Sequence, residues 1–362
     1  MTATSTPAPS GLSRSEIKQF AAITAFAVVA VLLAAAGVSS VVIFIAAGVA
    51  VAGMAHVLSI ATEQAGESAG PRLSALLNAT FGNAAEIFIV VLAIREGGAL
   101  IDVARASIVG SVLGNLLLIL GASLLVSGLR HGRGELNAKV AGVNATMLVL
   151  AAAMLAIPTL FAQTGGASTI DLHHLSVGVA IIMALLYAGY LIHAFQEPDE
   201  AHMQSEGHSA RWTVRLALIV LALSAIATGV LSEVLVSAIE PTIEETGIGE
   251  IFIGLIIVPI VGNVAEHFAA VKIAWGGNID FSAGIALNSA LQVALAVSAV
   301  AVGAGVVFGN DVDLVFPNLE IAVLIAATLL ATVVALNGNA NWLEGAELLS
   351  IYAIAAIAFW YL

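Results

Sequence analysis

The chain has 362 residues, 60% of them hydrophobic and only 10% charged, where soluble domains carry about 25% charged residues. No soluble fold of this length hides so much apolar surface, so its solvent is lipid. The absence of cysteine excludes disulfides and thiolate metal sites, and a formal charge of −13 leaves no basic footprint for nucleic acid.

Residues 1–19 are polar, contain Pro7 and Pro9, and are expected to be a disordered tail. Arg14 and Lys18 precede the apolar run 20–36, read as a leading membrane helix rather than a cleaved signal because many more spans follow. A spanning helix needs about 20 mostly apolar residues. Further spans are predicted at 38–61, 73–95, 104–128, 138–161, 172–195, 212–238, 249–275, 281–307, 318–336 and 342–361, giving about eleven. Clusters of Gly, Pro or charge separate them. The longest polar gap, 196–211, holds Glu197, Asp199, Glu200 and Glu206 with His202 and His208, and is predicted to be an acidic cytoplasmic linker.

With the N-terminus in the cytoplasm, Arg14, Lys18, Arg72, Arg130, Arg133, Lys139, Arg211, Arg215 and Lys272 fall on the cytoplasmic side, and only Arg95 and Arg105 outside. That bias obeys the positive-inside rule and puts the C-terminus outside. Trp212, Trp275, Trp342 and Trp360 fall near span ends, as an aromatic belt requires.

Two segments half a chain apart resemble each other: Phe81-Gly82-Asn83-Ala84-Ala85-Glu86-Ile87 and Val261-Gly262-Asn263-Val264-Ala265-Glu266-His267. Each is followed, in the next span, by a second polar element: Gly110-Ser111-Val112-Leu113-Gly114-Asn115 and Asn288-Ser289-Ala290-Leu291-Gln292. Each motif lies on the second helix of a five-helix unit, 37–195 and 212–362. An odd number of spans turns the second unit upside down relative to the first. The expected architecture is therefore an all-α membrane protein, one leading helix plus two inverted five-helix repeats, with its ion site at the midplane between them.

A carboxylate inside a span costs several kcal/mol and is usually functional. Asn83 shares a helix face with Glu86, and Asn263 with Glu266. Gly82 and Gly262 allow close helix approach or a local break that frees backbone carbonyls. Ser111 and Asn115, and likewise Ser289 and Gln292, share a face on the following helices and are candidates to line the path. All these groups offer oxygen, which suits a hard cation of calcium type; manganese stays open, and magnesium is disfavoured by its reluctance to dehydrate. Buried acids also take up protons, so protons and a divalent cation compete for Glu86 and Glu266. His267, beside Glu266, is a candidate for proton transfer. Glu63 and Glu67 end one span, and Glu240, Glu244 and Glu245 another; they are candidate mouth carboxylates that draw cations in. Glu344 and Glu347 read as first-turn acids of the last helix, and Asp311 and Asp313 as loop residues.

These segments resemble the two repeat signatures of the calcium/proton exchanger (cation/proton antiporter) family of the calcium/cation antiporter superfamily. Asn78-Ala79-Thr80-Phe81 before the first and Gly254-Leu255-Ile256-Ile257-Val258-Pro259 before the second extend the likeness, which covers nearly all spans after the first. The acidic linker fits it too. The resemblance implies an antiporter in which Glu86 and Glu266 bind calcium and exchange protons, with the amides and serines lining the path. Asn288 stands where the family usually has glycine, and Gly114 and Ala290 where serine is common. The ions are cargo, no cofactor is implied, and the oligomeric state stays open. The compact chain points to a prokaryotic plasma membrane. The competing readings are a sodium/calcium or other divalent exchanger, a cation channel, and a purely structural membrane protein. No Gly-x-x-x-x-Gly-Lys-Ser/Thr segment occurs, which argues against an ATP-driven pump.

Overall fold

The computed structural model describes residues 11–164, 168–196 and 211–361. Most of the expected acidic linker lies outside them, as does the start of the tail. Among the described residues, 11 helices are long and apolar enough to cross a membrane. The first, α1 (Arg14–Ala35), starts earlier than expected: the polar stretch read as disordered through residue 19 is helical from Arg14 onward. The reason is a capping box, in which Ser13 Oγ accepts the Glu16 N–H at 3.2 Å and the Glu16 carboxylate accepts the Ser13 N–H at 2.8 Å.

The chain continues through α2 (Ser40–Ala69), then α3 (Pro71–Phe81) and α4 (Ala84–Glu96), two halves of one predicted span. Next come α5 (Leu100–Leu113) and α6 (Leu120–His131), joined by a π-helical turn, Gly114–Ile119. A two-residue strand β1 (Gly134–Glu135) precedes α7 (Ala138–Ala162) and α8 (Thr169–Gln196). The second half holds α9 (Val214–Ser237), α10 (Ile239–Thr246), the short α11 (Glu250–Phe252), a π turn at Ile253–Ile257 and α12 (Val258–Trp275). It closes with α13 (Ile279–Gln292), a third π turn at Val293–Val297, α14 (Ser298–Phe308), α15 (Asn318–Asn337), β2 (Asn339–Ala340) and α16 (Trp342–Trp360). An Asn341–Glu344 capping box starts α16, as the first-turn acid predicts.

Polar contacts tie the loops at each end of the bundle. At the end where the linker leaves and returns, β1 pairs antiparallel with β2, Gly134 opposite Ala340, and the Asp280 carboxylate accepts the Asn137 N–H at 2.7 Å. There too Arg211 meets Glu16 at 3.1 Å, and the Gln64 carbonyl accepts the N–H groups of Arg211 and Trp212. At the far end, Ser39 donates to Glu245, Arg95 pairs with Glu233 at 2.9 Å, and Asn310 Nδ2 donates to the Ile94 carbonyl at 2.7 Å.

The central span is Leu100–His131: 83% of its most apolar stretch is buried, against 11% for α1. Lipid tails offer helices no hydrophobic reason to associate, so close approach of small residues carries much of the packing. Gly110 of α5 faces the Leu255 carbonyl, and a Cβ there would overlap it. Gly254 returns the favour, its added Cβ lying 2.7 Å from that of Ala106. Trp275, Trp342 and Trp360 are about half exposed. Trp212 departs from the expected belt: it is fully buried, edge-on to Phe20 at 5.9 Å, because its neighbouring backbone is bound to α2.

Candidate cation site

The two motifs reach the same region by different local structures. In the first, the helix stops at Phe81 and restarts at Ala84, with Asn83 at φ −102° and ψ 22°. In the second, Gly262 and Asn263 lie inside the unbroken α12. Gly262 serves close approach instead: a Cβ there would sit 2.9 Å from Glu86 Cγ. Both options read from the sequence are therefore used, one in each motif.

Glu86, Asn83, Asn263, Ser111, Asn115, Ser289, Gln292 and His267 are all buried. Asn263 Nδ2 donates to Glu86 Oε1, to Ser111 Oγ at 3.3 Å and to the Pro259 carbonyl at 3.2 Å. Asn83 Nδ2 donates to Gln292 Oε1 at 2.5 Å, and Asn115 Nδ2 to Ser289 Oγ at 3.0 Å. Glu266 lies close enough to Ser289 and to Glu86 for both to act on its carboxylate. The structure thus brings together the eight predicted metal and path residues, four from each motif with its following helix. A small cavity beside Glu86 is lined by Ser107, Ser111, Val258 and Val293. Ser107 escaped the sequence reading, although it lies one turn before Ser111 on the same face.

Among the described residues, Asn83 Oδ1, Glu86 Oε2 and Glu266 Oε2 are buried acceptor oxygens without a donor, and His267 Nε2 is buried without a partner. Buried polar atoms are rarely left so, since each costs about 1–3 kcal/mol. Three unsatisfied oxygens, two of them carboxylate, are what a hard cation or a proton would satisfy. The π turn Gly114–Ile119 contains Asn115 and the turn Val293–Val297 follows Gln292 directly, and such turns often mark functional sites.

The candidate mouth carboxylates do not join this group. Glu63 is exposed and Glu67 accepts from Gln64 at 2.9 Å near the end of α2. Glu240, Glu244 and Glu245 are exposed near the start of α2, where Glu245 accepts from Ser39 and Ser40 at 2.8 and 2.5 Å. The 30-residue α2 separates the two sets, by about 45 Å at 1.5 Å per residue.

A family model described as sodium/calcium exchanger protein matches residues 39–196 and 216–361. The Ca(2+)/H(+) antiporter ChaA of Bacillus subtilis (strain 168) is 39% identical over 331 residues, spanning 89% of this chain and 93% of that protein. The structure of native YfkE is 36% identical, with a TM-score of 0.82, over 95% of this chain and 100% of its own. The crystal structure of the H+/Ca2+ exchanger CAX, at 16% identity and a TM-score of 0.72 over 96% of this chain and 92% of its own, shares the fold. The chain belongs to the sodium/calcium exchanger protein family, and within it to the calcium/proton exchangers.

Proposed function

We propose that this multi-pass membrane protein is a secondary antiporter that exchanges Ca2+ for H+ by alternating access, with Glu86 and Glu266 holding either the cation or protons. The observation that carries this reading is the trio of buried, donorless oxygens on Asn83, Glu86 and Glu266. Two carboxylates neutralise one divalent ion, and amide, hydroxyl and water oxygens complete its shell. With neither cation nor protons, the pair would carry two unpaired charges through low dielectric, which opposes leak. His267, next to Glu266 in the chain, passes protons to it, and the hydroxyl and amide groups of Ser111, Asn115, Ser289 and Gln292 line the route. Residues 37–195 and 212–362 are the two inverted repeats whose exchange of conformation moves access from one side to the other. The N-terminus lies in the cytoplasm of a prokaryotic cell, the C-terminus outside, and the acidic linker inside. The protein converts no substrate chemically and needs no resident cofactor.

The test is proton-gradient-driven uptake of ⁴⁵Ca into liposomes holding the purified protein. Wild type accumulates calcium with choline replacing all sodium, and Glu86→Gln does not. Accumulation that persists in Glu86→Gln would overturn the assignment of the site, and a requirement for sodium would move the chain to sodium/calcium exchange. Competition fixes the sign of the pH effect. More protons on the calcium side raise the KM for Ca2+ and leave the rate at saturating Ca2+ unchanged.

A further inference from the structure

At the linker end of the bundle the last residues of α6 meet the last residues of α12. Arg130 lies over the ring of Trp275, its guanidinium carbon 4.3 Å from the ring centroid. His131 Nε2 lies 2.9 Å from the Trp275 carbonyl, which fixes the end of α6 against that tryptophan. Lys272 stands one turn before Trp275 on the same side of α12. Arg130, Lys272 and Trp275 are all exposed.

The whole chain has acids in excess, with a formal charge of −13. Among the described residues, Arg95, Arg105 and Arg211 each meet a carboxylate, whereas Arg130, Arg133 and Lys272 meet none. Asp280, close by at the start of α13, accepts the Asn137 N–H at 2.7 Å instead. Stacking on an indole fixes the guanidinium plane and leaves its five N–H donors free, and an ammonium adds three more. Toward the middle of the bundle the same surface turns apolar. Phe268, two turns before Trp275 on the same side of α12, is 71% exposed, and Leu129, beside Arg130, is 67% exposed. Two turns are about 10 Å. Open donors for an anion thus stand at the head of an apolar track, which is the layout of a phospholipid.

We propose that Arg130, Lys272 and Trp275 bind the phosphodiester headgroup of an anionic phospholipid of phosphatidylglycerol type, whose acyl chain lies along Phe268 and Leu129. Basic residues at any membrane surface attract anionic lipid diffusely. What marks this place is one arginine fixed over an interfacial tryptophan, a lysine one turn away, and an apolar track leading from both. Arg133, just beyond α6, adds a charge that repels the choline of a zwitterionic headgroup. The lipid bridges α6 of the first half and α12 of the second, and α12 carries Glu266. The site stands whether or not the protein exchanges calcium for protons.

The test places the full chain in phosphatidylcholine vesicles holding a small fraction of phosphatidylglycerol with brominated acyl chains, which quench tryptophan on contact. Quenching exceeds that by brominated phosphatidylcholine at the same fraction, and Trp275→Phe removes the excess. The preference for phosphatidylglycerol falls about fivefold or more in Arg130→Gln/Lys272→Gln, and stays within about twofold in Arg14→Gln/Arg215→Gln, which takes the same charge from exposed positions elsewhere at that end. Lys272→Arg keeps the preference that Lys272→Gln loses. Equal quenching by the two brominated lipids overturns the proposal. Equal losses in the two double variants do so too, since they mark a diffuse basic surface. Equal losses in Lys272→Arg and Lys272→Gln mark a packing role and also overturn it. Inorganic phosphate added to the solution leaves the quenching unchanged; displacement by it would overturn lipid as the occupant.

Discussion

The first motif, Gly82 to Glu86, sits at a helix break, whereas its twin, Gly262 to Glu266, sits in a continuous helix. The hydrogen bonds are unequal in the same way. Asn263 reaches across to Glu86, but Asn83 goes to Gln292, and Glu266 is the less buried of the two acids. Similar residues therefore occupy dissimilar states in one conformation. This is what a duplicated transporter caught on one side of its cycle should display, since exchanging the states of the two halves yields the opposite-facing form. On the proposed alternating-access mechanism, the two motifs are a pair of alternatives rather than one symmetric site.

The largest expected effect is the loss of exchange on removing either acid. Glu266→Gln, despite the lesser burial of Glu266, lowers calcium flux by about 100-fold or more, as does Glu86→Gln, because each carboxylate is needed to neutralise the same ion. Flux assays on the two variants side by side check this. If Glu266→Gln retained wild-type flux, the acids would not act as a pair and the comparison would collapse.

A smaller effect concerns the scaffold. Gly110 and Gly114 lie one turn apart in the central span, yet only the first is pinned: its Cβ would overlap the Leu255 carbonyl, whereas nothing lies within 4 Å of a Cβ at Gly114. Backbone cannot step aside as a side chain does, so Gly110→Ala should destabilise the detergent-solubilised protein by about 1–3 kcal/mol. Gly114→Ala should be neutral or stabilising by up to about 1 kcal/mol. Thermal unfolding of both variants separates a steric contact from generic intolerance of the helix to change.

Much of this was legible in advance, for a physical reason. Lipid forces each span to advertise itself as an apolar run, so eleven helices could be counted, and polar residues inside those runs stood out by their cost. Glu86, Glu266 and their amide and hydroxyl neighbours stand out in that way. The difference between the motifs was not legible. Both read Gly-Asn, and what decides between a break and a close approach is the partner: Gly262 meets Glu86, and no sequence pattern records that meeting. The π turns also escaped, because an extra residue per turn leaves the apolar run unbroken.

The smallest effect is the most informative about the asymmetry. Asn263 Nδ2 is shared among Glu86, Ser111 and the Pro259 carbonyl. Asn263→Ala leaves Glu86 without its amide donor, and losing a hydrogen bond to a buried carboxylate costs about 1.5–3 kcal/mol, of which flux registers the part that differs between states. Asn83→Ala removes a neutral bond to Gln292, worth about 1 kcal/mol. Asn263→Ala should therefore slow exchange about tenfold, and Asn83→Ala about threefold. In the opposite-facing form the wiring is expected to reverse, with Asn83 serving Glu266. Equal losses from the two alanine variants would mean that both forms weigh equally in the rate. A larger loss from Asn83→Ala would put the slow step on the other side of the cycle. Measuring both under gradients of either direction distinguishes these outcomes, because reversing the gradient exchanges the roles of the halves while the residues stay the same.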